Sequence, residues 1–307
     1  MGSPTDTGWF TDGAALSSYL MDTRASDTRM VSSVADAVAL IDGWRSGAAT
    51  GPWNGLNRTA VADRLAQIVA DPRLVRQGNL NLCGPASLVC MWAARDPHSF
   101  ASLGTTLFDY GSAYLGSLLL QPSAELLQAD SSTFSGSTYG ADWMVLGAIR
   151  NSTNVFWQGS WRGDPAQELA GLTRPEELAE WLTAVGIYAV VLNEANWVTP
   201  AGIPHATGLE FAEGRDIALL LHVNLINAAR HVPLDQSFLL NQFPNHYVVA
   251  LNSPTLAVGD DPGGTYVDGD VLLSLWTWGE VGGHLSLAVP QAEFVANYYG
   301  AVVADLA

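Results

Sequence analysis

The stretch Gln77-Gly78-Asn79-Leu80-Asn81-Leu82-Cys83-Gly84-Pro85-Ala86-Ser87 constrains this chain more than any other. A cysteine followed by Gly-Pro and small residues, then by the apolar run Leu88-Val89-Cys90-Met91-Trp92-Ala93, reads as a loop that turns into a buried helix. Cys83 falls at or near the N-cap of that helix, where unpaired backbone N–H groups and the positive end of the dipole favour an anion. A thiol so placed is expected to have a lowered pKa and to be the more nucleophilic for it. Gly84 permits close approach of another group, and Pro85 is tolerated in a first turn because it removes an N–H with no helical partner. Gln77 stands six residues upstream, from where its carboxamide can fold back to donate a hydrogen bond to a developing oxyanion. Cys90, two turns down the same helix face between Val89 and Met91, reads as core.

Composition limits the alternatives. Only 14% of the 307 residues are charged and 48% are apolar, ample for a large core in one or two domains. The formal charge of −17, from 13 basic and 30 acidic residues, argues against nucleic acid or an anionic membrane as partner, since both need clustered Lys and Arg. The two cysteines, seven residues apart on one helix, cannot easily bridge, and no second Cys/His pair stands at zinc spacing. No phosphate-binding glycine loop, His-Glu metal pattern or serine elbow competes for a site, so no cofactor or metal is expected. The longest apolar runs are too short or too interrupted to span a bilayer, and no Sec-type signal opens the chain, so membrane insertion is not expected.

Along the chain, residues 1–56 are rich in Gly, Ser, Thr and Asp and carry one helical-period piece at 31–44. They read as a loosely packed N-terminal extension with one helix, or as an inhibitory pro-segment over a cleft. A clearer helix opens at Asn57, its N-cap, carries Val61, Leu65, Ile68 and Val69 on one face, and stops at Pro72. After the Cys83 helix a helical region runs to about residue 120, then a polar Gly/Ser loop to 140, then a helix from 141. Asp142 and Trp143 there either line a cleft or serve capping and packing. Thr173-Arg174-Pro175-Glu176 reads as a capping box that opens an amphipathic helix through Val185. From 187 the texture becomes strand-like, with apolar runs at 187–192, 217–223, 238–240, 246–251 and 271–278. Helices first and strands later is an α+β pattern: an extension at 1–56, then one domain at 57–307, mainly helical over 57–186 and mainly β over 187–307.

A thiol nucleophile needs a base, most often histidine. His98, His205, His231 and His284 fall in loops, and His222 lies inside an apolar strand. His246 differs: Asn245-His246-Tyr247-Val248-Val249-Ala250-Leu251 puts it at the first residue of a buried strand, where a ring can project from the sheet edge into a cleft.

The Gln77…Cys83-Gly84-Pro85-Ala86 block resembles the papain-like cysteine hydrolases, and within them the bacterial branch of bacteriocin-processing peptidases and papain-like effector toxins. The block from His246 to Trp278-Gly279 extends the likeness, in Cys-then-His order. The resemblance implies a papain-like α+β fold, with the nucleophile helix of a helical lobe packed on a C-terminal antiparallel sheet or half-barrel. It implies a thiol hydrolase in which Cys83 attacks, His246 shuttles the proton, and Gln77 with the Cys83 N–H holds the oxyanion. The substrate would be a protein or peptide, attacked at a peptide, isopeptide or side-chain amide bond. The same acyl-thioester chemistry would serve a deamidase or an acyl-transferase. The family usually orients its histidine with Asn or Asp on the next strand, but that position holds Trp276. Thr277 on that strand, Asp260 or Asp261 in the loop that joins the two strands, or no third residue at all remain open. A catalytically inactive papain-like module that binds a protein is the alternative class. The resemblance also implies a bacterial protein, cytoplasmic or delivered by a specialised secretion system.

Overall fold

The structure, a computed structural model, describes residues 27–48, 50–130, 139–155, 160–164, 167–229, 243–261, 264, 266–277 and 284–307. The expected strand at 238–240, His231, Trp278-Gly279 and the first 26 residues lie outside the described residues.

Among the described residues the architecture is mixed α+β. Six helices of ten or more residues come first: α1 (Val34–Arg45), α2 (Arg58–Ala70), α3 (Cys83–Arg95), α4 (Pro97–Tyr110), α5 (Gly140–Thr153) and α6 (Pro175–Ala184). A two-stranded hairpin, β1 (Ala113–Leu115) and β2 (Leu118–Leu120), interrupts them. Seven strands then form one antiparallel sheet: β3 (Tyr188–Asn193), β4 (Arg215–Leu221), β5 (His246–Ala250), β6 (Thr255–Leu256), β7 (Val271–Trp276), β8 (Leu285–Val289) and β9 (Tyr298–Leu306). The order is β3-β9-β4-β5-β7-β6, with β8 also paired to β7. Strand β9, near the C-terminus, therefore enters between β3 and β4.

Both faces of this sheet are covered, which is why its central strands read as continuous apolar runs rather than alternating ones. On one face Ala218, Leu220, Tyr247, Val249, Trp276, Val302 and Ala304 meet the helices in the main core. On the other, Leu219, Leu221, Val248, Ala250, Leu273, Leu275 and Val303 pack beneath short helices at Gly202–Thr207, Asn224–Ala229 and Gln291–Asn297. No described helix is long and apolar enough to cross a membrane.

Three expectations change. The described part of the N-terminal segment is not loosely packed: Ala37, Ile41 and Trp53 are buried in the main core. The Trp44 indole donates to Asp109 at 2.9 Å and meets Phe108 edge-on at 5.3 Å, while Trp53 Nε1 donates to the Leu107 carbonyl at 2.6 Å. The helical region after α3 ends at Tyr110 rather than near 120. Gly111 caps it in the left-handed conformation at φ 70°, and the chain turns into the β1–β2 hairpin through Gly116 at φ 54°. The third change is at α6, whose N-cap is Arg174 rather than Thr173; the residue that reaches back to the cap N–H is Glu177, at 2.7 Å. The expected start of α2 stands: the Asn57 side chain accepts from Ala60 N–H at 3.1 Å.

Candidate functional site

The loop that leads into Cys83 is fixed from several sides. Asp142 does not line an open cleft. Its carboxylate is fully buried, accepts the Arg64 guanidinium at 2.6 and 3.1 Å, and takes the Arg76 backbone N–H at 2.6 Å, immediately before Gln77. The Trp276 indole, at the position where the resembled family carries its orienting residue, donates to the Arg73 carbonyl at 2.7 Å and ties β7 to the same loop. Gly78 at φ 60° and Asn81 at φ 54° supply the reversals, the left-handed region being one that asparagine tolerates better than most residues.

Behind the head of α3 lies the segment 171–174. A Cβ on Gly171 would come within 2.9 Å of the Asn81 carbonyl, and one on Gly84 would overlap the Thr173 side chain. That segment is itself held by a buried ion pair. Arg150 Nη2 and Nη1 reach the Glu177 carboxylate at 2.7 and 3.2 Å, and Nη1 also donates to the Leu172 carbonyl at 2.8 Å. Burial alone would raise the Glu177 carboxyl, but the hydrogen bonds and charge of Arg150, with the Arg174 N–H, hold it below the ordinary carboxylate range.

Cys83 is the first residue of α3 and only 6% exposed. Its thiol donates to the Asn245 carbonyl at 3.7 Å, and the backbone N–H groups of Tyr247, Gly84 and Cys83 itself point at the sulfur. The sulfur's hydrogen-bonding neighbours are thus the backbone groups on either side of His246. The helix-end argument for a lowered pKa is overridden. Burial dominates those N–H groups and the Arg150 charge, and pushes the thiol up to about 11.

His246 opens β5, opposite Leu221 of β4, and is buried. Side chains alternate along a strand, so the residue of β5 that faces α3 is Tyr247, with Val249, whereas His246 shares the parity of Val248 and Ala250. Its Nε2 lies 2.7 Å from Thr277 Oγ1, and burial pushes the imidazole down to about 3. The observed register pairs Val249 with Trp276, setting Thr277 across from Val248 and diagonal to His246 on the same face. Asp260 and Asp261 sit in the loop that enters β7 at its other end, away from Thr277. There Asp260 accepts from Asp268 N–H at 2.8 Å, and the Asp261 carbonyl accepts from Gly264 N–H at 2.8 Å.

Gln77 is buried, and its Oε1 has no hydrogen-bond partner among the described residues. Two further buried orphans flank Cys83: the Ser87 hydroxyl, one helical turn further on the same face, and the Tyr247 phenol. Buried polar atoms without a protein partner are uncommon in folded chains. Ser87, Tyr247, Thr173 and the Arg150–Glu177 pair carry no marker in the sequence as parts of this site. The i, i+4 spacing of Cys83 and Ser87 is the one signal that was available.

The other histidines have structural partners or lie apart. His205 Nδ1 meets the Tyr298 hydroxyl at 2.7 Å, His222 Nδ1 accepts from Asn224 N–H at 3.1 Å, and His284 Nε2 lies between the hydroxyls of Ser274 and Ser286. His98 is on the first turn of α4. At neutral pH the site therefore presents a neutral thiol at a helix head and a neutral imidazole on the abutting strand, with the Ser87, Tyr247 and Gln77 polar atoms buried and without partners among the described residues. Searches against family models, curated proteins and solved structures found no match for the chain.

Proposed function

We propose that the chain is a thiol-dependent hydrolase of papain-like type, acting on a peptide, isopeptide or side-chain amide bond of a protein or peptide. The observation that carries this reading is the seating of Cys83, at the head of α3, against the backbone of residues 245–247 on either side of His246. With both groups neutral in the resting protein, the chemistry is general-base catalysis rather than attack by a preformed thiolate. For this the His246 ring must turn from Thr277 to the Cys83 side of β5, where it takes the thiol proton as sulfur adds to the carbonyl carbon. The oxyanion is held by the Cys83 N–H and the Gln77 carboxamide. The imidazolium then protonates the departing amine or ammonia, and water releases the acyl group from the thioester. Whether the leaving group is a peptide amine or ammonia separates proteolysis from deamidation. An acceptor amine in place of water makes the same site an acyl-transferase.

A second reading, a protein-binding module of the same architecture without catalysis, is favoured by the partnering of His246 with Thr277 and by the parity that turns its ring away from the helix face. Intact-mass analysis of peptide and protein mixtures incubated with the wild-type chain and with Cys83→Ala separates the two. Fragments or one-dalton gains that need Cys83 support the hydrolase. No Cys83-dependent change, together with a Cys83 no more reactive than Cys90, would leave the binding module.

A further inference from the structure

A cleft of about 440 Å³ opens between α3, α4 and the β1–β2 hairpin, well away from Cys83. Trp92, one of its walls, is nine residues beyond Cys83 on α3, which at 1.5 Å per residue is about 13 Å along the axis. We propose that this cleft is a binding site for a neutral sugar ring.

The volume falls within the range of small-molecule sites. The chemistry of the lining narrows the class. Among the described lining residues the titratable side chains are His98 and the Tyr114 phenol, with no lysine, arginine or carboxylate, so the cleft lacks the fixed charge that a phosphate or amine site uses. The first turn of α4 does not supply one either. Its donors are already used within the protein, the Ser99 N–H by Asp96 at 3.2 Å and the His98 N–H by Ser32 Oγ at 3.0 Å. What α4 does present is a row of hydroxyls at Ser99, Ser102 and Thr106, spaced three and four residues apart on one helix face. Thr105, which faces inward, turns its hydroxyl back to the Ala101 carbonyl at 3.0 Å and so takes no part. Each hydroxyl can both donate and accept, the pattern that matches a ligand bearing hydroxyls of its own.

Two aromatic side chains complete the site. Tyr114 of β1 is 66% exposed at the mouth. Trp92 is almost fully buried and forms the inner wall, its Nε1–H closed off from the cleft and without an acceptor among the described residues. The exposed aromatic face of Tyr114 beside a row of hydroxyls suits a ring with an apolar C–H face and polar edges. The hairpin that carries Tyr114 is clamped in place. The Ser117 N–H donates to the Ala184 carbonyl at 2.9 Å, and Gly116 lies too close to that carbonyl to admit a side chain. The cleft is therefore preformed.

The test is saturation-transfer NMR on the full chain with glucose, galactose, N-acetylglucosamine and their disaccharides. At least one should receive saturation on its ring protons. Thr106→Val and Tyr114→Ala should each weaken binding by about fivefold or more, as expected for one lost hydrogen bond or aromatic contact, with the melting temperature held. Cys83→Ala should leave sugar binding intact, so the result stands apart from that of the hydrolase assay. Absence of transfer to every sugar, transfer that persists in both cleft variants, or occupation of the cleft by indole or phenol in preference to any sugar would each overturn the proposal.

Discussion

The Cys83 thiol donates to the carbonyl of Asn245 at 3.7 Å, an acceptor that stabilises the protonated form. Burial works in the same direction, and the thiol is pushed up to about 11. Alkylation of Cys83 by iodoacetamide should therefore climb steadily from pH 7 to pH 10 without levelling, because the thiolate fraction rises roughly tenfold per unit below the pKa. Liquid chromatography of tryptic peptides resolves Cys83 from Cys90. A plateau near neutral pH would show a thiolate stabilised in the resting protein and would contradict the general-base form of the mechanism.

The head of α3 should tolerate no side chain at residue 84. Gly84→Ala drives its methyl group into Thr173 at Cβ, and not merely into the end of a flexible chain. The expected cost is about 1–3 kcal/mol by urea unfolding, the usual scale for overpacking. Loss of Cys83-dependent activity larger than the loss of fold would follow from displacement of the sulfur. A Gly84→Ala variant as stable and as active as the wild type would remove the Thr173 contact from the account.

Arg150 and Glu177 form a buried pair that braces the 171–174 segment, and the Arg150 charge also acts on Cys83. Arg150→Met leaves a carboxylate buried without its partner, a change that typically costs about 3–5 kcal/mol. Arg150→Met combined with Glu177→Gln should be markedly less destabilised than Arg150→Met alone. In both, the Cys83 thiol loses a favourable charge, so its alkylation at pH 9 should be slower than in the wild type. Equal destabilisation of the single and double variants would mean that the pair is not coupled.

Much of this arrangement is legible in the sequence where the signal is local. Helix α2 is bracketed by Asn57 and Pro72, and α3 is announced by Cys83-Gly84-Pro85 before an unbroken apolar run. Strand β9 is not legible: it follows the helix Gln291–Asn297 with no turn residue between, and, buried on both faces, it shows no alternation. The same two-sided burial hides the direction of His246. In a strand apolar on both faces, parity carries no information about which side a given residue takes. The N-terminal helix is legible from its period at 31–44, but its Gly- and Ser-rich surroundings hide that Ala37 and Ile41 are core. Asp142 and Glu177 belong to ion pairs whose partners lie 78 and 27 residues away, and sequence spacing cannot choose among the arginines.

The imidazole of His246 gives the fold a specific acid sensitivity. Its ordinary value is 6.5, and burial lowers it to about 3 in the folded chain, so the unfolded chain binds the extra proton between those limits. Stability due to the neutral ring is complete above about pH 6.5 and declines as the pH falls toward 3. By pH 5 the loss should reach about 2 kcal/mol, at 1.36 kcal/mol per unit. Urea midpoints at pH 7 and pH 5 measure it, and His246→Gln, which cannot titrate, should show a flatter dependence. Thr277 contributes separately, since its hydroxyl meets Nε2 at 2.7 Å in a buried setting. Thr277→Val leaves that nitrogen without this partner, which should cost about 1–3 kcal/mol at pH 7, whereas Thr277→Ser should recover most of the loss. Under the hydrolase reading Thr277→Val should also lower kcat more than it raises KM, because a misaligned base is felt mainly in the transition state. An identical acid response in wild type and His246→Gln would show that the ring is not held neutral by burial. A Thr277→Val protein of unchanged stability would show that the hydroxyl does not fix the ring.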